Sequence, residues 1–202
     1  MAVLGLSDER EATKSAIIDT PLMTTEELLA LPNDGIDRWL IQGQLREKPT
    51  TVRNRTHSRI MARISYLLEK WLGSQPEPRG QVLCGEAGCR LRRYPDTTVG
   101  MDVVYIAANL AQQESEDTTL IDGVPILIVE ILSPSDTIEE IDEKIDLYQK
   151  AGVPVVWVID SHDRTVAIYR PGMATEVANI RQELTAEPHL PGFRVAEAEV
   201  FA

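Results

Sequence analysis

The feature that most constrains this fold is an apolar run at residues 124–135 that contains a single carboxylate, Glu130. A continuous run of valine, isoleucine and leucine of strand length, bounded by Pro125 and Pro134, predicts a central strand covered on both faces. Glu130 is then largely buried, and an ionised carboxylate taken out of water without a partner costs on the order of several kcal/mol. We therefore expect a cation, a metal ion or strong hydrogen-bond donors beside Glu130.

The residues after this run predict a helix and a second strand. Asp136 is placed to cap the helix with Glu139 at its third position, and a β-rich run follows at residues 153–160. The apolar stripe of the helix consists of Ile138, Ile141, Ile145 and Tyr148. The order strand, helix, strand predicts parallel pairing of the two strands.

The segments on either side complete a mixed sheet. Upstream, a hairpin turn at Gln42-Gly43 joins two short strands, and a helix over 57–72 precedes a strand over 99–106. Downstream, the alternating residues 164–170 are expected to return as an antiparallel edge strand. Residues 171–202 are expected to be loop with one late strand. The fold class is therefore α/β (mixed α+β), with a central mixed sheet flanked by helices.

Length and composition fit one domain. The chain has 202 residues, of which 43% are apolar, enough for one sizeable core. We expect an N-terminal arm at residues 1–21 and a single domain over 22–202, with its motif core at 22–170. No run of eighteen apolar residues occurs, and the first ten residues lack a secretory signal pattern, so a cytoplasmic protein without a membrane span is expected.

Two acids and a lysine carry the candidate chemistry. Asp102 and Glu130 lie on separate predicted strands, and Lys144 borders the buried stripe of the helix that follows Glu130. If the strands are neighbours, the three side chains converge, and two carboxylates plus waters suit Mg²⁺. Such a metal with an adjacent lysine can promote phosphodiester hydrolysis. Spacing alone leaves open the alternative that Glu130 and Lys144 form a structural ion pair while Asp102 is a turn residue.

Charge is unevenly distributed along the chain. The formal net charge is -12, yet residues 38–93 contain twelve lysines and arginines against four acids. Such asymmetry is expected where one face meets a polyanion, although ordinary solvated faces give the same count. The basic loop and helix start provide Arg53, Arg55, His57 and Arg59 as candidate nucleic-acid contacts. His57 begins the inward face of that helix, as either a hydrogen-bonded core residue or a ligand-binding one.

Several of these segments together resemble the Uma2 family of restriction-endonuclease-like proteins. The resemblance rests on Asp102 in its strand, on Val129-Glu130-Ile131-Leu132-Ser133-Pro134-Ser135, on Lys144 with Tyr148, and on Ala151-Gly152-Val153-Pro154 with Val156-Trp157-Val158-Ile159-Asp160. It extends to Thr24-Thr25-Glu26-Glu27-Leu28, Gln42-Gly43-Gln44-Leu45 and His57, and so covers residues 22–170. That family belongs to the PD-(D/E)xK nuclease-like superfamily, which implies a mixed sheet flanked by helices and a Mg²⁺ or Mn²⁺ site.

The resemblance assigns roles to individual residues. It implies that Asp102 and Glu130 bind metal, that Lys144 supplies the catalytic lysine, and that Glu47 is an additional upstream acid. The chain departs from the superfamily pattern at Leu132, which stands where a lysine is usual, and at Met101, which replaces the proline before the motif aspartate. The literal Pro95-Asp96 pair lies in a predicted turn and is interpreted as coincidental.

These observations favour one function over two others. The leading hypothesis is a metal-dependent endonuclease acting on DNA, with RNA as the other candidate substrate and a homodimer as the expected assembly. The alternative is a catalytically inactive nuclease-fold module that binds nucleic acid or a protein partner. A sugar- or peptide-directed hydrolase with Glu130 as general acid ranks last, because it needs a second solvent-facing carboxylate and no metal.

Overall fold

Sixteen elements of secondary structure occur in the part of the chain that the computed structural model describes, residues 21–50, 52, 54–113, 120–134, 136–179 and 181–202. The helices are α1 (Thr25–Leu29), α2 (Arg55–Leu72), α3 (Ala108–Ala111), α4 (Ile138–Ala151) and α5 (Glu197–Val200). The strands are β1 (Ile36–Ile41), β2 (Gln44–Pro49), β3 (Gln81–Arg92), β4 (Thr97–Ile106), β5 (Ile121–Asp122), β6 (Leu127–Ile131), β7 (Val155–Asp160), β8 (Thr165–Tyr169), β9 (Glu176–Asn179), β10 (Glu183–Thr185) and β11 (Arg194–Ala196). The arm expected at residues 1–21 lies outside the described residues except for Pro21, and so does Arg53.

The strand that carries Glu130 lies inside a large mixed sheet. The order of strands is β2-β1-β4-β6-β7-β8-β9, with β3 paired to β4 and β5. Strand β6 pairs antiparallel with β4 and parallel with β7, so the predicted parallel unit of strand, helix and strand is confirmed. All five residues of β6 are buried, as its continuous apolar sequence predicts.

Two expectations about the C-terminal third are wrong. Strand β8 pairs antiparallel with β7, but β9 pairs with its other side, so β8 is not the edge. The region expected to be loop with one late strand also contains β10, which pairs with β11 in a small second sheet, and the short helix α5. These strands are three or four residues long, too short for side-chain alternation to reveal them.

Helices cover both faces of the sheet. The apolar side of α2 packs in one cluster with Val103, Val129 and Trp157, whereas α4 packs in a second cluster with Val104 and Ile128. Side chains on one face of β4 and β6 therefore pack on the α2 side of the sheet, and those on the other face pack on the α4 side. Within the described ranges, no helix combines the length and apolar character needed to span a bilayer.

The predicted start of α4 is wrong by one residue. Its N-cap is Thr137, whose hydroxyl accepts the backbone N–H of Glu140, and the Glu140 carboxylate accepts the N–H of Thr137 in return. Asp136 instead accepts the backbone N–H of Ser133 at 2.8 Å. The helix ends at Gly152 in the left-handed conformation, with φ of +91°.

Helix α5 buries a carboxylate without a hydrogen-bond partner. Glu197 is 0% exposed, and neither of its side-chain oxygens accepts a hydrogen bond from any residue that the structure describes. Burial raises the pKa of Glu197 to about 7, against the opposing positive charge of Arg164. Glu197 therefore binds a proton more tightly in the folded chain than in the unfolded chain.

We predict that this carboxylate makes the protein less stable as the pH rises. Between the unfolded pKa of 4.5 and about 7, the folded state holds more protons, so the free energy of unfolding falls with rising pH. Glu197→Gln removes the titration, so its free energy of unfolding relative to that of the wild type should increase from pH 5 to pH 8, by roughly 2 kcal/mol. A difference that does not change with pH in thermal melts contradicts this prediction.

Candidate active site

Asp102 and Glu130 lie on neighbouring strands that bring them opposite each other. In the antiparallel pairing of β4 and β6, Val103 is opposite Val129, and one further step in the same register places Asp102 opposite Glu130. The side chain of Asp102 reaches across and accepts the backbone N–H of Ile131 at 2.8 Å. This contact holds Asp102 against the strand that carries Glu130.

A local irregularity of the sheet directs the Asp102 side chain. Met101 and Val104 both belong to the apolar cluster on the α4 side, whereas Val103 belongs to the cluster on the α2 side, so strict alternation breaks at Asp102. Strand β3 shows a register shift opposite this position, between Cys84 and Ala87. Bulges of this kind bend a strand and redirect a side chain, and they are frequent near functional sites.

Helix α2 supplies a buried partner for Asp102. The Nε2 atom of His57 lies 3.2 Å from Oδ2 of Asp102, and the two residues are 1% and 4% exposed. Because a carboxylate can only accept, Nε2 carries the proton in this hydrogen bond. Oδ1 of Asp102 and Nδ1 of His57 are buried and have no hydrogen-bond partner among the described residues.

Helix α4 supplies two partners for Glu130. The Tyr148 hydroxyl donates to Oε1, and the Lys144 ammonium lies 2.9 Å from Oε2. Lys144 and Tyr148 are four residues apart, so they project from one side of the helix toward the strand. The partners that a buried carboxylate requires are therefore a lysine and a phenol.

Burial and the neighbouring charges shift the pKa values of Glu130 and Lys144. Burial raises the pKa of Glu130, which is 6% exposed, and the negative charge of Asp102 adds to this effect, while Lys144 and Tyr148 oppose it. Burial disfavours the Lys144 ammonium, but the charges of Glu130, Asp102 and Asp136 outweigh burial and raise its pKa. Lys144 is therefore cationic at neutral pH.

These side chains line one cavity of about 430 Å³ between the β1–β2 hairpin, α1 and α4. Asp102, Glu130, Lys144 and His57 all contribute to its wall. Lys48 of β2 also lines it, and its ammonium lies 3.4 Å from Oδ1 of Asp136. The cavity is large enough for a ligand of several atoms beside the two carboxylates.

The other candidate residues lie apart from this cluster. Glu47 and Lys48 lie on opposite faces of β2. The Glu47 carboxylate accepts a hydrogen bond from Arg38 at 2.8 Å. Glu47 is not among the described residues that line the cavity. Arg55 and Arg59 are exposed near the start of α2. The turn residue Asp96 is buried and accepts hydrogen bonds from the backbone and hydroxyl of Thr25, so it anchors α1.

Sequence reasoning missed the contacts that join the hairpin to α4. Lys48 contacts Asp136, and Arg46 lies 3.6 Å from Glu143. Alternation along β2 indicates that Arg46 and Lys48 share one face, but not which element that face meets. The pairing of His57 with Asp102 was also not specified, although the inward position of His57 was.

The donor set suits a hard divalent cation. Among the described residues, no three His, Cys, Asp or Glu side chains group closely enough to hold a metal between them. Two carboxylates are nevertheless sufficient for Mg²⁺, which usually keeps several waters. The unpartnered Oδ1 of Asp102 is the oxygen that is free to become a ligand, since both oxygens of Glu130 already accept hydrogen bonds.

Comparison with known proteins supplies a family and a fold. The sequence profile of the Uma2 family, described as "Putative restriction endonuclease", matches residues 25–198. A solved structure of a "putative nuclease belonging to DUF820" from Anabaena variabilis has a TM-score of 0.72 and 21% sequence identity, covering 89% of this chain and 97% of that chain. No curated protein sequence gives a significant match.

We predict that Lys144 stabilises the fold through Glu130. Lys144→Met leaves the Glu130 carboxylate buried without its cation and should lower the free energy of unfolding by about 2 kcal/mol in urea titrations. The double variant Lys144→Met with Glu130→Gln should regain part of the lost free energy of unfolding, because the amide at position 130, unlike the carboxylate, carries no charge. Lys150→Met, in the exposed last turn of α4, is the matched control. Equal stabilities of Lys144→Met and the double variant would exclude the pair as a stabilising contact.

Proposed function

The chain belongs to the Uma2 family, and from that premise we propose that it is a metal-dependent endonuclease that hydrolyses phosphodiester bonds of DNA. The observation that carries the proposal is the convergence of Asp102, Glu130 and Lys144 in one cavity, with Oδ1 of Asp102 unpartnered. The nuclease-like fold of the matched structure is consistent with this role.

Asp102 and Glu130 would hold Mg²⁺ or Mn²⁺. A divalent cation bound there lowers the pKa of a bound water and offsets negative charge on the phosphate. The chain positions the first ligand from two sides, because the Ile131 N–H and the His57 imidazole both bind Oδ2 of Asp102. This leaves Oδ1 as the free oxygen.

Lys144 orients the reacting groups. Its ammonium uses one N–H on Glu130, and its side chain is 35% exposed, so the other N–H groups can donate to a water or a phosphate oxygen. In most members of the superfamily the lysine is two residues after the acid on the same strand, as the resemblance implies, and Leu132 occupies that position here. Helix α4 therefore replaces the strand as the source of the cation.

Tyr148 and His57 each position one of the two acids. The Tyr148 hydroxyl holds Oε1 of Glu130 and so fixes the carboxylate while Oε2 meets Lys144. His57 was predicted as a nucleic-acid contact, but its burial and its bond to Asp102 favour a positioning role. We assign phosphate contacts to Arg55 and Arg59, and to Arg53, which lies outside the described residues.

One observation favours the alternative of an inactive nuclease-fold module that binds nucleic acid or a protein partner. Both oxygens of Glu130 already accept hydrogen bonds, so a metal must share an oxygen with Lys144 or Tyr148. In the alternative, the cluster is purely structural and binds no metal. A direct test of metal binding separates the two functions.

We predict that Mg²⁺ or Mn²⁺ raises the melting temperature of the wild type. A metal concentration of about 100 times Kd stabilises the folded state by ~2.7 kcal/mol. Asp102→Asn should abolish the shift, because the remaining amide oxygen is a weaker ligand. Glu143→Gln is the matched control, since Glu143 lines the same cavity but lies outside the proposed pair, and it should retain the shift. An undiminished shift in Asp102→Asn would remove Asp102 from the site.

We also predict metal-dependent cleavage. Purified protein should cut plasmid or single-stranded DNA with Mg²⁺ or Mn²⁺ and not with EDTA, and Asp102→Asn should lower the rate at least about 100-fold, because the metal supplies several kcal/mol of charge stabilisation. Glu47→Gln tests the additional acid, which stays a prediction of the resemblance. Cutting of both strands at one position would support a homodimer. Metal binding without cleavage of DNA or RNA would favour the inactive module.

A further inference from the structure

The cavity wall by itself is a poor surface for a polyanion. Besides Asp102 and Glu130, it includes Asp136, Glu140 and Glu143 from the start and first turns of α4. Its cations are Arg38, Lys48 and Lys144, and each already contacts a carboxylate. Attraction of a phosphate chain must therefore come from outside the cavity.

The basic segment of residues 38–93 is largely neutralised by ion pairs. Its cations that contact a carboxylate within 4.0 Å are Arg38, Arg46, Lys48, Arg63, Arg79, Arg90 and Arg93. In the described part of the segment, the cations without such a partner are Arg55, Arg59, Lys70 and Arg92. Three of these four lie on α2, which makes its exposed face the main source of uncompensated positive charge.

The three unpaired cations of α2 lie in one row with Arg63 and Tyr66. Arg55, Arg59, Arg63, Tyr66 and Lys70 follow one another at spacings of four, four, three and four residues, which is the spacing of one helix face. At about 1.5 Å per residue, the row extends over roughly 22 Å. It begins beside His57, whose side chain lines the cavity, and it leads away from the two carboxylates.

Tyr66 interrupts the row with an aromatic ring. The ring is 54% exposed, and the Arg63 guanidinium lies 5.6 Å from its centroid. Arg63 is itself anchored, because its Nε donates to the backbone oxygen of Glu199 at 2.8 Å. An exposed ring fixed by an anchored cation is a suitable platform for stacking a base.

We propose that this row, the α2 track, binds a single-stranded stretch of nucleic acid that leads away from the cleavage site, with one base stacked on Tyr66. The proposal rests on the proposed function, since it takes nucleic acid as the substrate. A basic groove that follows the backbone, combined with an aromatic ring, is the arrangement by which proteins bind single strands. Paired bases do not expose their faces for stacking, so the ring selects for unpaired ones.

The test measures binding without cleavage. Full-length protein in EDTA is titrated against a fluorescein-labelled oligothymidylate of about 20 nucleotides and against a duplex of the same length. Tyr66→Leu should raise Kd for the single strand about tenfold, and Tyr66→Phe, which keeps the ring, should not. Lys70→Gln should weaken binding and reduce the slope of log Kd against log salt by about 0.7.

Matched controls keep the result interpretable. Lys150→Gln makes the same substitution on the exposed end of α4, where Lys150 pairs with Asp146, and should bind as the wild type does. Tyr66 and Lys70 are exposed, so melting temperatures of the variants should equal that of the wild type. A variant that loses stability is replaced by Tyr66→Gln or Lys70→Ala.

The outcomes separate the track from the catalytic proposal. Two results overturn the α2 track as a single-strand site. One is an unchanged affinity of Tyr66→Leu for the single strand. The other is a wild type that binds the duplex more tightly than the single strand, with Lys70→Gln as the only variant whose binding is weaker. If these variants bind with wild-type affinity and still cut DNA in the presence of metal, the nuclease proposal is supported and the α2 track is rejected. Loss of binding in Tyr66→Leu, in a protein that never cuts with metal, supports the track and rejects the nuclease.

Discussion

The burial of one carboxylate governs the arrangement of this fold. Glu130 lies in the middle of the sheet, and the ion pair with Lys144 and the hydroxyl of Tyr148 offset its desolvation. Both partners belong to α4. If this helix rotated or shifted on the sheet, it would separate them from Glu130 and leave the carboxylate buried without a partner. Asp102 is held from the other side of the sheet, by His57 of α2. The two acids are thus positioned by different helices, and the sheet brings them together.

The sequence is sufficient to predict the elements around Glu130, because their patterns are local. The apolar run, the stripe of α4 and the β-rich run after it predict a parallel pair, and the structure confirms it. The fold class and the family are also confirmed. The cap of α4 was placed one residue early because Asp136 and Thr137 are both capping residues, and only the structure shows that Asp136 bonds to Ser133 and Lys48 instead.

Other features depend on contacts distant in the sequence. Charge counting along residues 38–93 cannot distinguish Arg90, which bonds to Glu26 and Asp122, from Arg59, which has no carboxylate partner in the described part of the chain. Glu47 and Lys48 are adjacent, yet strand alternation sends them to opposite faces, and only Lys48 lines the cavity. The hydrogen bond from Ile131 to Asp102 depends on a sheet irregularity that no sequence pattern specifies.

The first turn of α2 both begins the helix and places His57 beside Asp102. The side chain of Asn54 accepts the backbone N–H of His57 at 2.9 Å, and this cap fixes the turn from which His57 reaches Asp102. Helix ends open at a much lower free energy than whole domains unfold. Fraying of this one turn would withdraw the imidazole from the carboxylate while the sheet stayed intact. The hydrogen bond between His57 and Asp102 therefore has a local stability of its own, to which the Asn54 cap contributes.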